Sequence, residues 1–332
     1  MTADFQQVRL TAALRQIQGV GPVTARDALA RLTGCPQTGE ELAAALEAIR
    51  EQLKRPIQAS ERELVAAFED SDRLLEQCSE AGVGIAIASS PAFPASTWSI
   101  PRAPLMLFYR GRSTDAASQP GVAVIGTREP SHFGAESGRR IAKVCATRHL
   151  TVVSGLAVGC DAAAHQGAIE GGGLTIAVLA HGLHTVYPKQ NRRLADEILD
   201  TGGMLVSEYP IGVELRANQL VERDRLQAAL SRGLIVIETD VEGGTMHTVK
   251  FALEQGRLVA CINHKPDMRD APKSRGNQKL IADGTAVPLE SKEEVSAYLD
   301  RLTESAVTPQ SKQRKPAVAA QQEFDFGKPN ED

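Results

Sequence analysis

Aromatic residues, paired cysteines and long apolar runs are scarce in this sequence, and each scarcity argues against a class of protein. Aromatic residues make up only 4% of the chain, which leaves few side chains on which bases could stack. The five cysteines contain no CxxC pair, so a structural zinc site is not expected. We expect the cysteines to be reduced thiols in the cytoplasm. No apolar run is long enough to cross a bilayer, and the first residues lack the apolar centre of a signal peptide.

An excess of positive charge is missing as well. The formal net charge is −4, so binding to nucleic acid would have to rely on a local basic patch. Hydrophobic residues at 42% and charged residues at 23% indicate a soluble globular protein. With 332 residues, the chain suggests two domains at roughly 150 residues per domain.

The beginning of the chain predicts a small helical domain over residues 1–82. The stretch IQGVGPVTARDALARL at 17–32 fits a helix-hairpin-helix, in which Gly19 and Gly21 let the backbone approach a phosphate and Thr24 assists. The same motif also serves as a plain packing unit, and that alternative stays open. Apolar residues at helical spacing over 42–53 and 64–78 indicate further helices.

From residue 83 the pattern changes to strands, and we predict a second domain over residues 83–302. Short β-branched runs such as VAVIG, TVVSG, TIAVLA and LIVIET alternate with helices near 135–147, 162–170, 219–231, 248–255 and 293–302. This alternation is typical of an extended Rossmann-like, doubly wound α/β fold with a mostly parallel sheet. Residues 112–120 are predicted to form a loop. Ligands of such folds bind beyond the carboxyl ends of the strands.

The remaining residues, 303–332, are predicted to be a disordered tail because they are polar and contain few large apolar side chains. Within this tail, the sequence QEFDF at 322–326 is either a segment that docks on a partner or part of a solvated terminus.

Three turns rich in small residues follow predicted strands, and a phosphate could approach the backbone at each of them. They contain Gly126, Thr127 and Arg128; Ser154 and Gly155; and Gly243, Gly244 and Thr245. Lys189, Arg223 and Arg225 supply further positive charge near the same predicted edge. Ordinary βα turns and surface salt bridges would give the same pattern. The GxGxxG spacing of a dinucleotide site is missing, so no cofactor is predicted.

Catalysis has weak support in the sequence. Ser154, Asp161 and His165 are close together, but no G-x-S-x-G turn presents the serine. The histidines and Cys160 form no complete ligand set, so no metal is predicted. Glu238, which precedes a glycine-rich loop, is similar to the acidic loop of nucleotide phosphoribohydrolases. A nucleotide-cleaving enzyme therefore remains an alternative.

Several ordered motifs together resemble the DprA/Smf family of DNA-processing proteins over roughly residues 83–302. They are SSPAFPAS, PLMLFYRG, VAVIGTREPSHFG, VVSGLAVGCDAAAHQGAI, TIAVLAHGL, YPKQN, LVSEYPIG and FALEQGR. The resemblance implies a Rossmann-like domain that binds single-stranded DNA without catalysis, forms a homodimer and loads a RecA-type recombinase. By matching position it implies that Arg128 and Gly155 line the binding pocket, with Lys189 and the arginines of ERDRL beside it.

The sequence also departs from this family. Asp224 stands between Arg223 and Arg225, where the family usually has asparagine, and EGGTMHT at 242–248 replaces the usual serine- and glycine-containing loop. These departures resemble a divergent branch that includes antitoxins paired with phosphoribosyltransferase-like toxins. An antitoxin that neutralises a cognate toxin in phage defence is therefore a further alternative.

Overall fold

The computed structural model of the chain describes residues 3–88, 90, 93, 95–98, 100–111 and 119–304. Most of the predicted loop at 112–120 and nearly all of the predicted tail, including QEFDF, lie outside the described residues. None of the helices in the described part of the chain is both long enough and apolar enough to span a bilayer.

Four helices form the first part of the chain. They are α1 (Ala3–Gln16), α2 (Pro22–Leu29), α3 (Gly39–Ala48) and α4 (Glu61–Glu80). Helix α4 begins with a capping box, in which the Ser60 and Glu63 side chains each accept a hydrogen bond from the other residue's backbone N–H. The sequence therefore determines locally where this long helix starts.

Helices α1 and α2 flank the turn at which the sequence predicts a helix-hairpin-helix. Gly19 has a φ of +78°, which is the left-handed conformation that glycine adopts without strain. Pro22 occupies the first turn of α2, where its missing N–H costs no hydrogen bond. Ile17 and Val20 are buried in the helical core, so the hairpin is anchored by its apolar residues.

Nine strands form one sheet, in the order β1-β2-β6-β5-β4-β3-β7-β8-β9. They are β1 (Gly84–Ile87), β2 (Met106–Gly111), β3 (Gly121–Ile125), β4 (Thr151–Ser154), β5 (Thr175–Leu179), β6 (Met204–Ser207), β7 (Gly233–Val236), β8 (Leu258–Ile262) and β9 (Val287–Leu289). Strand β2 pairs antiparallel with β1 and with β6, and the strands from β6 to β9 run parallel. The predicted fold class, a mostly parallel Rossmann-like sheet, is confirmed.

Helices cover both faces of this sheet. They are α5 (Ala95–Trp98), α6 (His132–Thr147), α7 (Cys160–Glu170), α8 (Arg192–Asp200), α9 (Ala217–Ala229), α10 (Thr245–Glu254), α11 (Pro272–Ala282) and α12 (Lys292–Glu304). Strand β3 shows why a central strand is apolar throughout: Val122 and Val124 pack with α6, whereas Ala123 and Ile125 pack with α10 and α11.

The topology places a switch point at β3. The chain continues from β3 to β4 on one side, while β7 pairs with β3 on the other. The loops that leave β3 and β7 therefore diverge and open a crevice at the carboxyl edge of the sheet.

The predicted helix boundaries were several residues off at the amino ends. Helices α6, α7 and α10 begin at His132, Cys160 and Thr245, earlier than predicted, and α9 spans Ala217–Ala229 instead of 219–231. Helix α11 and strand β9 were not predicted at all. The first turn of a helix is held by caps and loop contacts, which an apolar spacing does not reveal.

The helical part and the sheet share apolar contacts. Val8 and Ala12 of α1 belong to the same buried cluster as Ile87, Phe108 and Leu205 of the sheet. The Arg26 guanidinium also donates to the carbonyl of Ala103 at 2.5 Å. The boundary predicted at residue 82 thus separates two element types that pack against each other.

Candidate nucleic-acid interface

A polar cleft of about 550 Å³ lies at the switch point, between the loops that follow β3 and β7. Gly126, Thr127 and Arg128 form one wall, and Gly243, Gly244 and Thr245 form the opposite one. Two of the three predicted glycine turns therefore meet across a single cleft, since β3 and β7 are neighbours.

Arg128 is exposed at this cleft, and it also lines a smaller adjoining cavity. No ion pair or hydrogen bond of its side chain is found among the described residues, and the guanidinium is available to a ligand. A free guanidinium at a switch point is well suited to a phosphate, because it offers two parallel N–H donors.

The helix that follows Arg128 does not offer its amino end to a ligand. The Glu238 carboxylate accepts hydrogen bonds from the backbone N–H of Ser131 at 2.8 Å and from its hydroxyl at 2.5 Å. The Ser131 hydroxyl in turn accepts from the N–H of Gly134 at 2.9 Å. The first turn of α6 is therefore already capped within the protein.

Glu238 itself is 1% exposed and does not line the cleft. Burial favours its neutral form, but the hydrogen bonds from Ser131 and the nearby His264 ring, whose Nε2 lies 3.5 Å from the carboxylate, outweigh that effect and lower the pKa of Glu238. An ionised carboxylate that is committed to a helix cap performs a structural role. This position is unlike that of an acidic group facing a substrate.

Arg223 lies beneath the cleft and is only 7% exposed. Its guanidinium donates to the carbonyls of Gly155 at 2.9 Å and Val178 at 2.5 Å, and its Nε donates to Asp224 at 3.1 Å. The turn after β4 and helix α9 are tied together by these bonds. Arg223 lines the cleft, but most of its donors are already used.

Arg225 and Ser154, two other predicted phosphate ligands, point away from the cleft, and these two assignments are corrected. The Arg225 guanidinium faces Glu208 at 2.5 Å, and the side chain is 5% exposed. The Ser154 hydroxyl donates to the carbonyl of Val124 at 2.8 Å and is fully buried. Residues two positions apart on a helix lie about 200° apart around its axis, so Arg223 and Arg225 point in different directions.

The turn after β4 is organised by Asp161 and by glycine. The Asp161 carboxylate accepts from the N–H groups of Gly155 at 3.1 Å and Ala157 at 3.4 Å. Burial raises the pKa of Asp161, against the nearby Arg223 charge. A Cβ at Gly155 would overlap the Arg223 guanidinium. This crowding leaves no room for a side chain at Gly155.

The residues Ser154, Asp161 and His165 do not form a relay. His165 is fully buried, and its Nδ1 contacts the Thr175 hydroxyl at 2.7 Å. Burial, together with the Arg223 charge, lowers the pKa of His165 to about 3. The imidazole is therefore neutral at physiological pH and belongs to the core.

Asp224 of α9 places a second carboxylate, beside that of Asp161, in the cleft lining. Its side chain is 13% exposed and lines the cleft on α9. Burial raises the pKa of Asp224 to about 6, despite the nearby Arg223 charge, and the Asp161 carboxylate adds to the rise. A hydrogen bond from the Thr248 side chain acts in the opposite direction.

Lys189 lies outside the cleft lining, at the start of a short 3-10 helix that follows β5. Its neighbour Asn191 donates to the carbonyl of Leu156 at 2.8 Å, which brings this loop beside the turn after β4. Three exposed cations lie in loops at this edge of the sheet: Arg128 after β3, Lys189 after β5 and Arg216 just before α9. We call these three side chains the cationic rim. No ion pair joins any of the three to an acidic side chain in the described ranges.

Several residues of the cleft were not predicted from the sequence. Asp240 and His247 line it near β7, and Lys273 reaches it from α11, 3.5 Å from Glu129. Because α11 itself was missed, nothing in the sequence pattern pointed to Lys273. No group of three or more histidine, cysteine, aspartate or glutamate side chains in the described ranges is arranged to hold a metal.

The predicted hairpin site has open space around its two glycines. No atom lies within 4 Å of a Cβ built at Gly19 or Gly21, and no side chain caps the amino end of α2. Arg26 donates to the backbone of residues 103 and 104, so it anchors the hairpin to the second part of the chain.

Comparison with known proteins agrees with this geometry. The family model described as DNA recombination-mediator protein A matches residues 84–300. The chain is 36% identical over 231 residues to Protein Smf of Synechocystis, covering 67% of this chain and 57% of that protein. It is 41% identical over 160 residues to DNA processing protein DprA of Streptococcus pneumoniae, covering 48% of this chain and 56% of that protein. The chain thus spans little more than half the length of these two relatives.

Two solved structures have a similar fold. The X-ray structure of DprA from Streptococcus pneumoniae superposes with a TM-score of 0.70 at 29% identity, covering 89% of this chain and 98% of that chain. A structure of DNA processing protein A from Helicobacter pylori, whose title describes a single-stranded DNA binding mode, gives 0.58 at 23% identity, covering 67% and 96%. None of the relatives named here is described as an antitoxin, and that alternative has no support. With a family model that matches most of the sheet and its helices, this chain belongs to the DNA recombination-mediator protein A family.

Proposed function

We propose that this protein binds single-stranded DNA along the carboxyl edge of its sheet and acts in DNA processing during recombination, without catalysing a reaction. The observation that carries the proposal is the exposed guanidinium of Arg128 over the cleft at the switch point, which has no ion pair or hydrogen bond among the described residues. The rim adds two further cations on the same edge. A localised basic patch of this kind compensates for the net charge of −4.

The related proteins support the ligand. The Helicobacter pylori protein is described by its title as binding single-stranded DNA, and the Streptococcus pneumoniae relative is named as a DNA processing protein. A protein with this ligand would act in the cytoplasm.

The test is a titration of a labelled single-stranded oligonucleotide of mixed sequence, followed by fluorescence anisotropy at about 50 mM and about 200 mM salt. We expect affinity to fall with salt, because phosphate contacts release counterions. Arg128→Ala should weaken binding and reduce the log–log salt slope by about 0.7, the contribution of one phosphate contact on a single strand.

The matched control is Arg140→Ala, which removes an exposed arginine of α6 that pairs with Glu136. This variant should bind as the unmodified protein does. Salt-independent binding, or equal losses in the two variants, would contradict the assignment of Arg128. A duplex of the same sequence tests whether binding prefers the single strand.

The proposal that the protein is not an enzyme has its own experiment. Incubation with nucleoside monophosphates should leave the nucleotides intact, because Glu238 is committed to capping α6. Release of free base, lost in Glu238→Gln, would instead favour the phosphoribohydrolase alternative.

The homodimer and the RecA-type partner implied by the family remain proposals. Light scattering of the purified protein should give twice the mass of one chain if the dimer forms. Co-purification with a RecA-type recombinase in the presence of single-stranded DNA tests the second partner.

A further inference from the structure

The side chains that line the cleft carry no excess of positive charge. The cations are Arg128, Arg223 and Lys273, and the carboxylates are Glu129, Asp161, Asp224 and Asp240. Two of the three cations are engaged: Arg223 with carbonyls and Asp224, and Lys273 with Glu129. A DNA strand carries one negative charge per nucleotide, and its phosphates fit the cationic rim far better than this interior.

The interior is instead rich in hydrogen-bond acceptors. Such a space suits an uncharged group that carries N–H donors, which is the chemistry of a nucleobase edge. The volume of about 550 Å³ is within the range of small-molecule sites. The cleft is thus suited to take a base while the rim holds the backbone.

Among the carboxylates of the cleft, Asp224 is largely buried and still has acceptor capacity: its side chain is 13% exposed, against 38% for Asp240 and 84% for Glu129. Asp161 accepts from two backbone N–H groups, and Asp240 accepts from the N–H of Val241 and lies 3.5 Å from Arg275. Asp224 accepts from the Nε of Arg223 through Oδ1 and from the Thr248 side chain. An ionised carboxylate has about four lone-pair sites, so it can accept further hydrogen bonds.

Guanine matches such a carboxylate best. Its Watson–Crick edge presents two adjacent donors, the N1–H and the N2 amine, which a carboxylate can accept together. Adenine and cytosine each place an acceptor beside their amine, and thymine places its N–H between two carbonyls. The acceptors of these bases would face a negative charge.

We propose that Asp224 makes the cleft a pocket for a single guanine of a DNA strand whose phosphates lie on the cationic rim. This inference rests on the proposed binding of single-stranded DNA and names the residue that gives it base preference. A bidentate hydrogen-bonded pair of this kind discriminates by about tenfold or more between bases.

The test uses oligothymidylate strands that are identical except for one central base. That base is guanine, hypoxanthine, O6-methylguanine, adenine, cytosine or thymine, and each affinity is measured by anisotropy. We expect guanine to bind about tenfold more tightly than thymine. Hypoxanthine, which lacks the N2 amine, should be intermediate, and O6-methylguanine, which lacks the N1–H, should lose most of the gain.

Asp224→Asn should abolish the preference for guanine, because an amide offers a donor where the carboxylate offers an acceptor. Affinity for the all-thymine strand should stay the same or rise, since a negative charge is removed. The matched control, Asp200→Asn, makes the same change at an exposed carboxylate at the end of α8, outside the cleft, and should keep the preference. Thermal unfolding of both variants checks that they are folded.

The outcomes separate the two proposals. Equal affinity of the unmodified protein for all six strands overturns the guanine pocket and leaves the binding of single-stranded DNA standing. Absence of salt-dependent binding to every strand overturns the proposed function itself. Retention of the preference in Asp224→Asn, or its loss in Asp200→Asn, overturns the assignment to Asp224. The comparison of the modified guanines needs no variant, so it holds even if Asp224→Asn fails to fold.

Discussion

The guanidinium of Arg223 donates to the carbonyl of Gly155 at 2.9 Å, joining two residues that are 68 positions apart in the chain. Both residues are predicted from the sequence as phosphate ligands, yet in the structure they are hydrogen-bonded to each other. Arg223 also donates to the Val178 carbonyl and to the Asp224 carboxylate. These bonds hold helix α9 against β5 and the turn after β4, beneath the cleft. A buried arginine in this position stabilises the site's architecture.

Replacing Gly155 with valine should destabilise the fold. Even a Cβ would overlap the Arg223 guanidinium and come within 2.6 Å of the Gln227 amide nitrogen. We expect a loss of about 1–3 kcal/mol, measured by urea denaturation. Gly244→Ala is the control, because no atom lies within 4 Å of a Cβ built there, and its effect should stay within about 0.5 kcal/mol. Equal stability of the two variants would contradict the crowding at Gly155.

Replacing Arg223 with methionine should cost more than replacing an exposed arginine. The substitution removes the hydrogen bonds to the buried carbonyls of Gly155 and Val178 and the cation between Asp161 and Asp224. The expected loss is about 3–5 kcal/mol. Arg128→Met, at an exposed position, should change the free energy of unfolding by less than about 0.5 kcal/mol. If Arg223→Met unfolds at the same urea concentration as the unmodified protein, the structural role of Arg223 is refuted.

Asp224 should make stability depend on pH. Burial raises its pKa from 3.8 to about 6. Between these two pH values, Asp224 is mostly protonated in the folded state and mostly ionised in the unfolded chain. The free energy of unfolding contributed by this group therefore rises as pH falls through that window. Asp224→Asn should be more stable than the unmodified protein at neutral pH, by about 1–3 kcal/mol, with a flatter pH profile.

The measurement is urea denaturation of both proteins between about pH 5 and about pH 7.5. Part of the slope should remain in the variant, because burial also raises the pKa of Asp161. Equal pH profiles for the two proteins would show that Asp224 does not titrate in this window.

The hairpin at Gly19 and Gly21 remains a proposed contact for DNA, and its test depends on strand length. Gly21→Glu places a negative charge at the open amino end of α2 without crowding any neighbour. If a strand reaches the hairpin, the variant should bind long oligonucleotides several-fold more weakly and short ones normally. Ala30→Glu, just after the end of α2, is the control. Unchanged binding at every length would leave the hairpin as a packing unit.

The fold class followed from the sequence because its signal is local and repeated. Runs such as VAVI at 122–125 and LIVI at 234–237 are apolar on every residue, and strands covered on both faces require that pattern. Strand β9 and helix α11 escaped prediction, because Val287–Leu289 is a three-residue strand and α11 has a largely polar surface with weak apolar spacing.

The candidate site was predicted less completely. The turns at Gly126 and Gly243 do meet across the cleft, because the residues that follow parallel strands share one edge of the sheet. Glu238 looked like a catalytic candidate because it precedes a glycine-rich loop, and its contact with Ser131 crosses 107 residues. No spacing in the sequence encodes a contact over such a distance.

The amino-acid sequence by itself determined the elements, their alternation and the edge at which small and charged residues gather, since each depends on residues close together in the chain. Only the tertiary structure decided which charges are free. Arg128 is left exposed, Arg225 is neutralised by Glu208, and Asp224 is raised in pKa by burial. Burial and ion pairing depend on which distant residues become neighbours, and the side chain available to a ligand is decided at that level.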